Sequence, residues 1–248
     1  MEELIAYYAP WNAMAQKIAY GCWALAFLIV LGHVIKLLTT SDPKTKYDYI
    51  NRSEIRFLWM ATIVLVIGCC FYANSYITEL NTILIFVRVF TTVSMGLIAA
   101  LIVQNLLKFY YPFYIEKRLK VLRYQPRISP KTGKPMKLLS EEEEDAYLDE
   151  GMQAEENVFS IDYDVWKDEE TGHIKIEKYS GHLHALECPE CNYQTFKVVK
   201  EEILKAPTPG VEGELLKHYE CGYCSYKAKK TVTLKAAASK FEETAATA

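Results

Sequence analysis

The sequence has little charge where it has most apolar surface, and little excess of either sign. Of 28 Lys+Arg and 31 Asp+Glu, residues 1–106 hold only 7 and 6, so 21 and 25 fall in residues 107–248. A formal net charge of −3 leaves no cationic field of the kind that attracts nucleic acid, so no nucleic-acid partner is expected. Seven cysteines in 248 residues are too few for a disulfide-dense secreted miniprotein. Eleven glycines and nine prolines exclude a collagen or a low-complexity chain. Three sequence devices are absent: a G-x-x-x-x-G-K-S/T phosphate loop, an H-E-x-x-H pair and a G-x-S-x-G elbow. The expectation is therefore a non-enzymatic protein, with no catalytic and no organic cofactor-binding residue assigned.

The apolar residues gather in three runs, at about 18–38, 55–77 and 83–107. Each is near the roughly 20 residues that a helix needs to cross a bilayer core of about 30 Å. The first run is too long for a signal-peptide core and is followed by no small-residue cleavage site, so a retained anchor is expected. The first loop carries Lys44, Lys46, Arg52 and Arg56, and the stretch after the third run carries Lys108, Lys117, Arg118, Lys120, Arg123 and Arg127. The second loop, 78–82, has no basic residue. Positive loops stay in the cytoplasm, which places the N-terminus outside and the C-terminal part inside. The expected site is the bacterial inner membrane, with the lipid bilayer and other membrane or cytoplasmic subunits as partners. Phe109, Tyr110, Tyr111, Phe113 and Tyr114 suit the headgroup layer.

Polar residues within the runs are few. His33 and Arg88 are candidates to line a path in an oligomer, and His33 to lend a haem ligand, since intramembrane charge is functional by default. Snorkelling or a pairing with Glu79 is the simpler account of Arg88. Cys22, Cys69 and Cys70 are expected to pack as small apolar side chains. No Asp or Glu is expected deep in a span.

After the membrane part, Ser140 followed by Glu143 forms a capping box, which predicts a helix over 141–157 that Gly151 weakens. Phe159, Ile161, Tyr163 and Val165 alternate with Ser160, Asp162 and Asp164, which predicts a half-buried strand with both aspartates facing solvent. A second short strand over 173–179 completes a hairpin.

The strongest chemical signal is Cys188-Pro-Glu-Cys191 with Cys221-Gly-Tyr-Cys224, separated by 29 residues. A two-residue gap lets both thiols of a pair face one ion, and two pairs supply a tetrahedron of sulfur, which suits zinc. Strand-like runs at 195–199, 215–219 and 226–234 surround the pairs and complete a zinc ribbon. The metal ligands are thus Cys188, Cys191, Cys221 and Cys224, with structural zinc expected and iron as the alternative. His182, His184 and His218 are expected to be spectators.

The run 124–234 resembles the cytoplasmic tail of bacterial TPM-domain membrane proteins. The likeness rests on Pro126-Arg127, Gly133-Lys-Pro-Met136, Asp145-Ala-Tyr-Leu148, Glu155-Glu156, Asp162-Tyr-Asp-Val-Trp166, Gly172-His173 and the four cysteines. The resemblance implies a further pair of knuckles, at Ser129 and Thr132 and at Asp168 and Thr171, in which all four cysteines are replaced. It implies one ribbon module that has lost its metal and a second that keeps it. Residues 1–17 are too short to hold the TPM domain itself, so its phosphatase-like activity does not carry over.

The expected fold class is a membrane α-helical protein with three transmembrane helices, followed by a small cytoplasmic β-rich zinc-ribbon region. Its segments are a short N-terminal stretch (1–17), a three-helix transmembrane domain (18–107) and a juxtamembrane segment with an acidic helix (108–157). A hairpin read as a metal-free ribbon (158–180), the zinc ribbon (181–235) and a tail (236–248) follow. The expected function is a membrane subunit or scaffold whose ribbon docks a cytoplasmic partner. The alternatives are an accessory redox subunit of an electron-transfer complex and a transporter or channel component.

Overall fold

The structure, a computed structural model, describes residues 2–76 and 82–236. It divides into two compact units, Met1–Gln125 and Pro126–Ala248. Glu79 and residues 78–81 of the second loop lie outside the described residues, as does the tail beyond Ala236.

The first unit is helical. α1 spans Glu2–Thr39, α2 Pro43–Ala73, α3 Thr82–Asn105 and α4 Tyr111–Arg123, with a π-helical stretch, Leu106–Tyr110, joining the last two. Ala6–Thr39, Pro43–Ala73 and Ile83–Arg123 are each long and apolar enough to cross a bilayer. The first helix differs from expectation at its start: residues 2–17 continue α1 rather than forming a separate segment. Its 38 residues extend roughly 57 Å at about 1.5 Å per residue, well beyond the bilayer core. The extension has a packing role, because Trp11 donates its indole N–H to the Asn74 carbonyl at 3.0 Å, at the end of α2. Ala15, Ala19 and Ala26 are buried, so α1 lays its smallest side chains inward. α2 starts by rule: Asp42 accepts from the Thr45 N–H at 2.8 Å, and Pro43 fills a first-turn position where its missing N–H costs nothing.

The second unit holds two three-stranded antiparallel sheets, ordered β1-β2-β3 and β4-β5-β6. The first uses β1 (Lys137–Leu138), β2 (Ile161–Lys167) and β3 (Ile174–Ser180). The second uses β4 (Phe196–Lys205), β5 (Gly213–Cys221) and β6 (Lys227–Leu234).

The helix expected over 141–157 is two helices, α5 (Glu141–Glu144) and α6 (Glu150–Asn157). Ser140 starts the first as predicted, its N–H donating to Glu143. Asp149 then caps a second start by accepting from the Met152 N–H at 2.7 Å. The break lets Leu148 turn into the core with Leu139, Ile161, Tyr163 and Val165. Gly151 sits under the Tyr193 ring, where an added Cβ would lie 2.1 Å from the ring. Burial pushes the Glu144 carboxyl up to about 7.

The strand β2 begins at Ile161, and Phe159 lies outside it, exposed and with a positive φ of 56°. Asp164 is buried rather than solvent-facing, which corrects the alternation reading. The cause is that the second face of β2 is covered too. Arg127 is 2% exposed and donates to Glu177 through Nε at 2.9 Å and Nη2 at 2.7 Å. It also donates to the Tyr179 hydroxyl at 3.1 Å and stacks 4.9 Å from the Trp166 ring. Burial pushes the Glu177 carboxyl up, but hydrogen bonds from Arg127, Lys175 and Tyr179 outweigh it and hold the group below its usual range. A bidentate buried pair of this kind is geometrically specific.

The two sheets are tied by Glu155, which is fully buried on α6. It accepts from the Gln194 N–H at 2.6 Å, from Lys178 at 3.1 Å and from the Tyr163 hydroxyl.

Candidate metal centre

The second sheet is positioned by its knuckles. In the first knuckle the Cys188 N–H donates to the Tyr193 carbonyl and the Asn192 N–H to the Cys188 carbonyl, both at 2.9 Å. In the second, the Cys221 N–H donates to the Tyr226 carbonyl at 2.9 Å. Asn192 and Ser225, which follow each second cysteine, adopt left-handed φ of 62° and 59°. These turns aim all four thiols at one point, with every pair of Sγ atoms within 4.8 Å. Cys188 Sγ lies 3.7 Å from Cys224 Sγ, and Cys191 Sγ lies 3.7 Å from Cys221 Sγ. A zinc–sulfur bond of about 2.3 Å in a tetrahedron sets sulfurs about 3.8 Å apart, so the spacing fits such an ion. Among the described residues this is the group that could hold a metal ion.

The electrostatics favour thiolate at one ligand in particular. Burial pushes the Cys221 thiol up, but the Thr195 hydroxyl at 3.0 Å and the N–H groups of Cys224 and Tyr223 at 3.4 Å outweigh it. The net result is a thiol brought down to about 6. Thr195 is fully buried, and sequence spacing did not single it out. Donors to a ligand sulfur orient it and tune its charge. The histidines are not in the cluster. His182 and His184 are exposed, and His218 lies 3.4 Å from Glu202 on the neighbouring strand.

The first sheet carries two more knuckles of the same build. The Ser129 N–H donates to the Lys134 carbonyl and the Asp168 N–H to the His173 carbonyl, both at 2.8 Å. Gly133 and Gly172 take the left-handed position, each with φ 67°. The four side chains at the matching knuckle positions, Ser129, Thr132, Asp168 and Thr171, converge on each other. The hydroxyls of Ser129, Thr132 and Thr171 all donate to one oxygen, Asp168 Oδ2, at 2.7, 3.0 and 2.7 Å. The other oxygen accepts from the Glu170 N–H at 3.0 Å. One carboxylate oxygen thus sits among three donors, where the first sheet's counterpart gathers four sulfurs around a common point. The Ser129 and Thr171 hydroxyls, with the other donors, hold the Asp168 carboxyl well below the usual carboxylate range.

The helical unit contains a polar cluster that periodicity did not reveal. Glu54, one residue before the apolar run at 55–77, is 2% exposed. It accepts from the Tyr111 hydroxyl and from Arg118, both at 2.6 Å, and its second oxygen lies 3.6 Å from His33 Nε2. His33 is itself buried, with Nδ1 3.0 Å from the Tyr49 hydroxyl. The only signal in the sequence was an acid placed between Arg52 and Arg56. Arg88 donates to the carbonyls of Ala73 and Tyr76 at 2.7 and 2.9 Å, so it caps the end of α2.

No protein family, no curated protein and no solved structure matches the chain.

Proposed function

We propose that this protein is a non-enzymatic membrane subunit or scaffold, anchored by three spans and carrying a structural zinc ribbon that docks a cytoplasmic partner. The observation that carries the reading is the closed set of four thiols at tetrahedral spacing. Four protein ligands leave no open position for a substrate, which marks a structural rather than a catalytic zinc. Zinc is favoured over iron because four thiolates in a tetrahedron suit its filled shell, which imposes no other geometry. In a reducing cytoplasm the thiols stay available to a metal.

The positive-loop rule supports an N-terminus outside and a cytoplasmic ribbon in a bacterial inner membrane. The resemblance to TPM-domain tails remains part of this proposal. In it, the hydroxyl-and-carboxylate knuckles at Ser129, Thr132, Asp168 and Thr171 replace a former metal site. Their shared backbone pattern with the cysteine knuckles supports that reading.

Metal content and a visible spectrum of detergent-purified full-length protein test the proposal. One zinc per chain and no colour are expected. Iron with a thiolate charge-transfer band would overturn the structural-zinc reading and bring the redox alternative forward.

A further inference from the structure

A basic cleft lies in the helical unit, away from the thiols in sequence and chemistry. The start of α2 packs on α4 through Ile50, Ile115 and Leu119. Beside this contact is a cleft of about 440 Å³. Lys46 of α2 and Lys117 and Arg118 of α4 line it, with no acidic lining residue. The rest of its wall is apolar, formed by Ile50, Tyr114, Val121 and Leu122. Arg118 spends one terminal nitrogen on Glu54. With Glu54 counted against Arg118, Lys46 and Lys117 leave two positive charges on the cleft wall with no ion-pair partner among the described residues.

We propose that this cleft binds the phosphate headgroup of an anionic phospholipid, with Lys46 and Lys117 on the phosphate and the apolar wall along the glycerol and upper acyl chain. Three features of the cleft argue for a lipid. The cations converge from two helices rather than lying scattered on one face. Tyr114 and Val121 are 61% and 71% exposed beside them, an apolar wall that a hydrated free anion would not use. In the chain, the lining residue Tyr114 directly follows exposed Phe109, Tyr110 and Phe113, side chains that favour the headgroup layer. Basic pockets between membrane helices are suited to anionic headgroups. The inference rests on the proposed membrane spans but not on the ribbon or its metal.

The test is a lipid titration of the full-length protein in mild detergent, read by native mass spectrometry. Phosphatidylglycerol and phosphatidylcholine of equal chain length are compared. Wild type should bind phosphatidylglycerol in preference. K46A/K117A should bind it about 30-fold more weakly, at about 1 kcal/mol per basic residue and about 1.4 kcal/mol per tenfold. K46Q/K117Q, which keeps side-chain bulk, should show the same loss with unchanged circular dichroism. The control R52A/K120A removes two cations outside the cleft and should retain binding. An equal loss in that control would mean diffuse attraction and would overturn the site. No preference for phosphatidylglycerol, or no loss in K46A/K117A, would overturn it as well. Inorganic phosphate or glycerol phosphate displacing the lipid at comparable concentration would assign the cleft to a free phosphate and overturn the lipid. Carbonate extraction of membranes is scored separately. Release of the chain there would sink the membrane reading itself, whereas retention with no lipid preference would sink this inference alone.

Discussion

The Ser129 hydroxyl donates to the Asp168 carboxylate at 2.7 Å, joining two knuckles 39 residues apart. Together with Thr132 and Thr171 it ties the two knuckles of the first sheet's module to one carboxylate oxygen. Asp168→Asn keeps an acceptor oxygen but loses the charge, so the thermal midpoint of the second unit should fall by several degrees at neutral pH. The pH dependence has a definite sign. A depressed folded value gives stabilisation that is present above the unfolded value, about 3.9, and is lost as pH falls through the folded one. The gap between wild type and variant should therefore narrow below about pH 4, as read by Trp166 fluorescence against temperature.

Because the first residue of all four knuckles donates its N–H to the carbonyl five residues on, the first module should accept a metal once four cysteines are placed in it. The variant S129C/T132C/D168C/T171C should bind one more zinc per chain than wild type. Elemental analysis checks this, and an unchanged zinc content would mean that the knuckles do not reach tetrahedral spacing with sulfur.

Cys191→Ser removes one ligand from the cysteine site. Structural zinc contributes about 10–16 kcal/mol to folding in small metal domains, so residues 181–235 should unfold while the helical unit stays assembled. Limited proteolysis should cut within β4 to β6, and helical circular dichroism should persist. A chelator should reproduce the pattern in wild type. Loss of the whole chain from the membrane would show that the units depend on each other.

Glu54→Ala should destabilise the helical unit by about 3 kcal/mol, because it leaves Arg118 and the Tyr111 hydroxyl without their buried acceptor. The figure is at the low end for a buried pair because Arg118 remains 34% exposed. A double-mutant cycle with Arg118→Ala, read by thermal unfolding in detergent, should show coupling between the two sites. Additive losses would mean that the pair is worth nothing beyond its packing.

The placement of long apolar helices and of the four-cysteine cluster was legible from local pattern. Three apolar runs need no partner to be recognised, since the bilayer length sets them. Two-residue thiol spacing is likewise a local geometric device, and strand-like runs flank it. Local pattern failed where a neighbour decided the outcome. Asp164 reads as solvent-facing by alternation, yet the buried Arg127, Glu177 and Trp166 cover that side of β2. The acidic run after Ser140 reads as one helix, yet the burial of Leu148 and the cap at Asp149 split it.

By itself the sequence determined which segments are apolar enough for a membrane and which four thiols could share an ion, because both depend on residue type and short spacing. The tertiary structure alone decided that Glu54 meets Tyr111 and Arg118 across 57 and 64 residues, and that three hydroxyls surround Asp168. A buried charge is tolerable only when distant partners satisfy it. Which partners those are is set by how the helices and strands pack, and no window of neighbouring residues contains that information.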